Sequence, residues 1–151
     1  MVRNVAVFSV YVTAVVLLTA ASLAAGQYGT AEEAKAMLGK AVVAVKADKA
    51  RALDMFNKGE GGFKSRDLYV FCANASDSTL TAHPMLKGEQ LKDIKGKKGF
   101  PLGEEMMQTA TEENISELTY WWPRPGSDEP REKHTFYTKV ADQICGVGYY
   151  K

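Results

Sequence analysis

The sequence predicts an α+β fold, a five-stranded antiparallel sheet with a long N-terminal helix. Three observations lead there. Strong helix formers without proline run over residues 30–57, hydrophobic periodicity changes from helical to alternating after Gly62, and five short alternating segments fill the remainder around one loop.

Each element has its own signal. Ala34, Leu38, Ala41, Val45, Ala52 and Phe56 recur at helical spacing and form one apolar stripe. Thr30 followed by Glu33 reads as a capping box, and Glu33 also sets negative charge at the positive end of the helix dipole. Asp48 and Lys49 interrupt the stripe and mark a place for a bend or break, and Gly59, Gly61 and Gly62 end the helix. Residues 68–73 read as a strand, residues 74–78 as a turn, and residues 79–83 as a second strand that Pro84 stops. Residues 85–113 read as a loop with one or two small helices, the clearest over residues 103–111. Three strands follow at residues 115–122, 133–140 and 143–149, with a proline-rich connection over 123–131 and a tight turn at Ala141 and Asp142.

Composition narrows the function classes. At 151 residues, 46% hydrophobic and 25% charged, the chain is ordinary globular material and one domain is the natural count. Lys+Arg 19 against Asp+Glu 18 leaves a formal net charge of +1, which supplies no field for a phosphate backbone, so nucleic acid is excluded as a partner. Two cysteines cannot make a four-thiolate zinc site, a site of two thiolates and two imidazoles would need both of them with His83 and His134, and none of the four is closely paired in sequence, so no metal is expected. No cofactor is expected either: Gly146 and Gly148 lie within a strand with no helix after them, and read instead as a close approach of backbones.

Residues 1–26 read as an export signal. Arg3 is the only charge before Glu32, an apolar centre follows, and small residues at Ser22, Ala24, Ala25 and Gly26 offer a cleavage site. Retention as a membrane anchor is the alternative, because the apolar stretch approaches the roughly 20 residues a spanning helix needs. Cleavage leaves residues 27–151 as the mature domain, periplasmic or secreted. In such an oxidising compartment Cys72 and Cys145 either form a disulfide or remain two buried thiols.

Strand alternation sorts the polar and aromatic residues by face. Tyr69 and Phe71 share one, Tyr120 and Trp122 share one, and Lys133, Thr135 and Tyr137 share one. If these faces coincide, aromatic walls surround a single ammonium, an arrangement suited to a small carboxylate. The competing reading is an aromatic core with Lys133 reaching to solvent. His83 has no nucleophile or orienting acid nearby in sequence, so no catalysis is expected and the chain is read as a binding protein, not an enzyme. The lysines at 87, 92, 95, 97 and 98 read as a solvated loop.

Taken together, residues 52–57, Phe63, residues 67–71, the Ala82-His83-Pro84 run with Gly88, residues 120–125, Lys133, Tyr137 and residues 145–149 resemble a single Cache domain, the extracytoplasmic sensor module of bacterial receptors. The resemblance covers the chain from about residue 30. It implies a PAS-like sheet behind the long helix, and a pocket for small organic acids or amino acids without catalysis. Carried over by position, the ligand-binding residues are His83, Tyr120, Trp122, Lys133 and Tyr137. It also implies that the first and last strands are neighbours, which supports a Cys72 to Cys145 bridge. Membrane-bound members continue into a kinase or chemotaxis output domain, whereas this chain stops at Lys151, so the expected output partner is a membrane receptor or histidine kinase. The alternative function is a structural or protein-interaction module whose pocket is unfilled or filled by its own side chains.

Overall fold

A computed structural model describes residues 26–151; the expected export signal at residues 1–26 lies outside the described residues except for Gly26. The helical run divides at Asp48, as its broken stripe suggested, into α1 (Ala31–Ala47) and α2 (Lys49–Lys58). Asp48 closes the first helix with its amide and starts the second, its carboxylate accepting from the Arg51 amide at 3.1 Å. Thr30 and Glu33 form the capping box in both directions. Gly59 ends α2 in the left-handed conformation, φ +69°, which a side chain would strain.

Among the described residues the sheet has six strands rather than five: β1 (Lys64–Ser65), β2 (Leu68–Asn74), β3 (Leu80–Ala82), β4 (Ser116–Pro123), β5 (Pro130–Val140) and β6 (Gln143–Tyr150). The added β1 is two residues long, too short for alternation to reveal. The order is β1-β2-β6-β5-β4, antiparallel throughout, with β3 on the outer edge of β2. Between β4 and β5 the ladder extends from Ser116 opposite Tyr137 to Pro123 opposite Pro130, so the connection is shorter than its prolines implied. Val140 opposes Gln143 across the expected two-residue turn.

The two sheet faces carry separate cores. Val70, Cys72, Cys145 and Val147 face α1 and α2, where Leu38, Ala41, Val45 and Phe56 are buried. Burial of such side chains supplies about 1.5–3 kcal/mol each. Cys72 and Cys145 stand directly opposite on β2 and β6 and form a disulfide inside this helix-facing core. On the other face, Tyr69, Phe71, Tyr120 and Tyr137 lie under a layer from residues 85–113, which holds a short 3-10 turn (Leu91–Asp93) and α3 (Leu102–Thr109). Gly103 lets that layer close, because a Cβ there would stand 1.6 Å from the Leu91 carbonyl oxygen. Within the same segment Lys98 is not simply solvated: its Nζ stands 3.2 Å from the centre of the Trp121 ring.

Candidate functional site

Register brings the sorted faces together. Tyr120 pairs with Lys133 and Lys133 with Tyr150, while Tyr137 pairs with Gly146 and Gly146 with Phe71. Aromatic side chains from β2 and β4 therefore stand on the same side of the sheet as Lys133. Between them and the covering layer lies a cavity of about 20 Å³, walled by Tyr69, Phe71, Leu80, His83, Tyr120 and Trp122 and roofed by Leu86, Leu91, Ile94 and Leu102. That volume holds about one water molecule.

Lys133 is the unusual member. It is 1% exposed, yet among the described residues its one hydrogen bond runs from Nζ to the Tyr69 hydroxyl, 3.0 Å away, and it has no carboxylate partner. The ammonium lies 4.5 Å from the centre of the Tyr69 ring and 5.0 Å from that of Tyr150, so aromatic faces replace part of its lost hydration. Burial pulls its pKa below the usual lysine range, against smaller upward effects of Tyr120 and Asp67. Burial pushes the phenols of Tyr69 and Tyr120 upward, so both hydroxyls keep their protons. Lys133 does not itself line the cavity; it meets the cavity wall through its bond to the Tyr69 hydroxyl.

His83 leaves β3 at the turn before Pro84. Its Nδ1 accepts from the amides of Met85 and Leu86 at 3.1 and 3.0 Å, which assigns the ring proton to Nε2 in the neutral form. Burial first, and the Lys133 charge second, bring its pKa down to about 4. The ring stands edge-on to Tyr69, with centroids 5.3 Å apart.

The remaining candidates divide. Trp122 lines the cavity and meets Tyr120 edge to face, with centroids 6.2 Å apart. The Tyr120 hydroxyl is bonded to Thr135 Oγ1 at 2.9 Å. Tyr137 is drawn elsewhere, its hydroxyl bonded to Thr109 Oγ1 at 2.6 Å, so it ties α3 to the sheet and does not line the cavity. Tyr69 and Tyr150, which hold the ammonium, were not singled out among the ligand-binding residues. Tyr69 carried a usable signal in its face parity with Phe71, and the apolar triplet Leu91, Ile94 and Leu102 within a lysine-rich stretch was the trace of the roof.

A second cluster adjoins the site. Asp67, two residues before Tyr69, is buried and accepts from the Gly29 amide at 2.7 Å and from Arg124 Nε at 3.2 Å. Arg124, two residues after Trp122, covers the rings of Tyr28 and Tyr150. Arg66 Nη1 donates to the carbonyls of Gly26 and Tyr28, so the chain leading into α1 is held against the strands that wall the cavity. No group of histidine, cysteine and carboxylate side chains suited to a metal ion occurs among the described residues, and none of their helices is long and apolar enough to cross a membrane.

Comparison with known proteins agrees with this architecture. The methyl-accepting chemotaxis protein McpP of Pseudomonas putida is 32% identical over 71 residues, a match covering 46% of this chain and 13% of that receptor. A methyl-accepting chemotaxis protein from Vibrio parahaemolyticus superposes with a TM-score of 0.63 at 22% identity, covering 79% of this chain and 86% of that structure. A Cache chemosensory domain described for carboxylic acid recognition superposes at 0.57, also at 22% identity, over 79% of this chain and 86% of its own. At such identities these structures establish the shared fold. The family model of single Cache domain 2 matches residues 10–150, and the chain belongs to that family.

Proposed function

We propose that this protein is an extracytoplasmic sensor-type domain that captures a small organic acid in the cavity beneath Leu91, Ile94 and Leu102, with residues 1–26 serving as its export signal. The observation that carries the reading is Lys133. A fully buried ammonium without a carboxylate partner is costly to the fold, and an anion held at the Tyr69 hydroxyl, next to that ammonium, would offset part of the cost. The Tyr69 oxygen already accepts from Lys133, which leaves its own proton for a ligand oxygen. His83 offers Nε2–H at the same wall, and Trp122 bounds the apolar part of the ligand.

The cavity lining contains no carboxylate to match the ammonium of an amino acid, so a simple carboxylic acid fits it better. A two- or three-carbon acid exceeds the room present, and its capture requires the roof to shift outward. A recess of about 80 Å³ that also borders Tyr69 meets Lys58, Lys64 and Pro84, and it is the approach we assign to the anion. Output would pass to a membrane receptor or histidine kinase, a role consistent with the chemotaxis proteins this chain resembles.

The test follows the melting temperature of oxidised residues 27–151 against small carboxylates, amino acids and amines, since a ligand of the folded state must raise it. A concentration-dependent rise with carboxylates, reduced by about 2 kcal/mol or more of binding energy in Lys133→Ala, is expected. Affinity unchanged by Lys133→Ala would overturn the assignment. The small cavity also favours a second reading, an interaction module that its own side chains fill. No response to any compound, together with a stable protein complex, would establish that reading instead.

A further inference from the structure

Lys133 belongs to β5, its ammonium ends at a tyrosine on β2, and β6 lies between the two strands. Neighbouring strands stand about 4.8 Å apart, so the lysine stem must pass over whatever β6 presents on that face. Thr135 opposes Gly148, and Val70 opposes Val147; continuing the second register by one step sets Tyr69 beside Gly148. The crossing point is thus a glycine. A Cβ there would stand 2.2 Å from Lys133 Cε, 3.2 Å from its Cδ and 2.6 Å from Thr135 Oγ1. Side chains fill the space, rather than the close backbone that the sequence pattern suggested.

Gly148 is not among the residues with positive φ, so its backbone has no conformational need of glycine. The need comes from its neighbour's stem. We propose that Gly148 is a positioning residue of the carboxylate site: its missing side chain is the passage by which Lys133 reaches Tyr69, and it sets where the positive charge of the site stands. This inference rests on the carboxylate-binding reading above. A side chain at position 148 lifts the stem from the sheet and breaks the contact with Tyr69. The obstructed lysine atoms are near the free end of a flexible chain, and Thr135 Oγ1 can turn away by a change of χ1, so the strand itself is expected to persist.

The test compares Gly148→Ala, Lys133→Ala, the double variant and Gly39→Ala in the full chain with its disulfide formed. Gly39 is exposed on α1, and a Cβ there meets nothing within 4 Å. Affinity for acetate and pyruvate is measured by calorimetry, and the Lys133 amine is titrated by nitrogen-15 NMR. Gly148→Ala is expected to weaken binding at least tenfold, to add nothing in the Lys133→Ala background, and to move the Lys133 titration upward toward that of an exposed lysine. Gly39→Ala should leave affinity and titration at wild-type values. An unmoved Lys133 titration in folded Gly148→Ala, or an equal loss of affinity in both backgrounds, overturns the proposal. If neither acid binds the wild-type protein, the functional reading fails while the titration still decides the role of Gly148. If Gly148→Ala does not fold, folding of the double variant supports the obstruction by the stem, and failure of both overturns it.

Discussion

Replacing Lys133 by methionine should change stability and binding in opposite directions. Dehydrating the ammonium costs several kcal/mol in a real protein interior. One hydrogen bond from a charged donor, to Tyr69 at 3.0 Å, returns about 2 kcal/mol. The Tyr150 ring, 5.0 Å away, returns about 1–2 kcal/mol, and the Tyr69 ring adds little beyond the hydrogen bond its hydroxyl accepts. These nearly cancel, whereas methionine has a similar volume, no charge to desolvate and a stem that can lie over Gly148. Lys133→Met is therefore expected to leave the domain unchanged or up to about 2 kcal/mol more stable, a rise of at most roughly 8 °C in melting temperature. Removing the charge should weaken carboxylate binding by about 2–3 kcal/mol, or roughly 30- to 150-fold. Urea unfolding and calorimetric titration on the same preparation measure both quantities. A variant more than about 2 kcal/mol less stable that still binds normally would refute the reasoning, because Lys133 would then be a structural cation satisfied by the protein itself.

Reduction of the disulfide releases a constraint between residues 73 apart in sequence, worth about 4 kcal/mol in the chain-entropy treatment. The melting temperature in excess reductant should fall by roughly 10 °C or more, and an unchanged melt with both thiols shown to be free would contradict this. His83, with a folded pKa of about 4, takes up its proton in the unfolded chain near pH 6.5. Its contribution is thus present above pH 6.5 and is lost as pH falls toward 4, by about 3 kcal/mol. His83→Asn can retain an acceptor for the two turn amides and should flatten that part of the stability profile; equal slopes in both proteins would rule out the assignment. Asp67→Ala leaves the Gly29 amide and the largely buried Arg124 without their partner, at an expected cost of about 3 kcal/mol in urea unfolding. A loss below about 1 kcal/mol would show that water replaces the carboxylate there.

What the sequence determined by itself is local. The capping box at Thr30, the break at Asp48, the Gly59 stop and the two-residue turn before Gln143 are set by interactions within a few residues, and all occur in the fold. Period-two alternation also assigned Tyr120 with Trp122 and Lys133 with Thr135 to common faces, because a strand cannot present adjacent residues on one side. The two-residue β1 escaped because alternation needs more positions than it has.

Tertiary structure decided the rest of the site. Parity placed Tyr137 beside Lys133 in kind, but α3 docks where Thr109 meets its hydroxyl. Parity could not show that Lys133 would reach Tyr69, since that depends on β6 being inserted between β5 and β2 and on Gly148 falling at the crossing. Nor could it show the Asp67–Arg124 pair, which joins residues 57 apart. Periodicity records which side of a strand a residue takes, whereas the long-range pairing of strands and the layer that covers them decide which groups meet there.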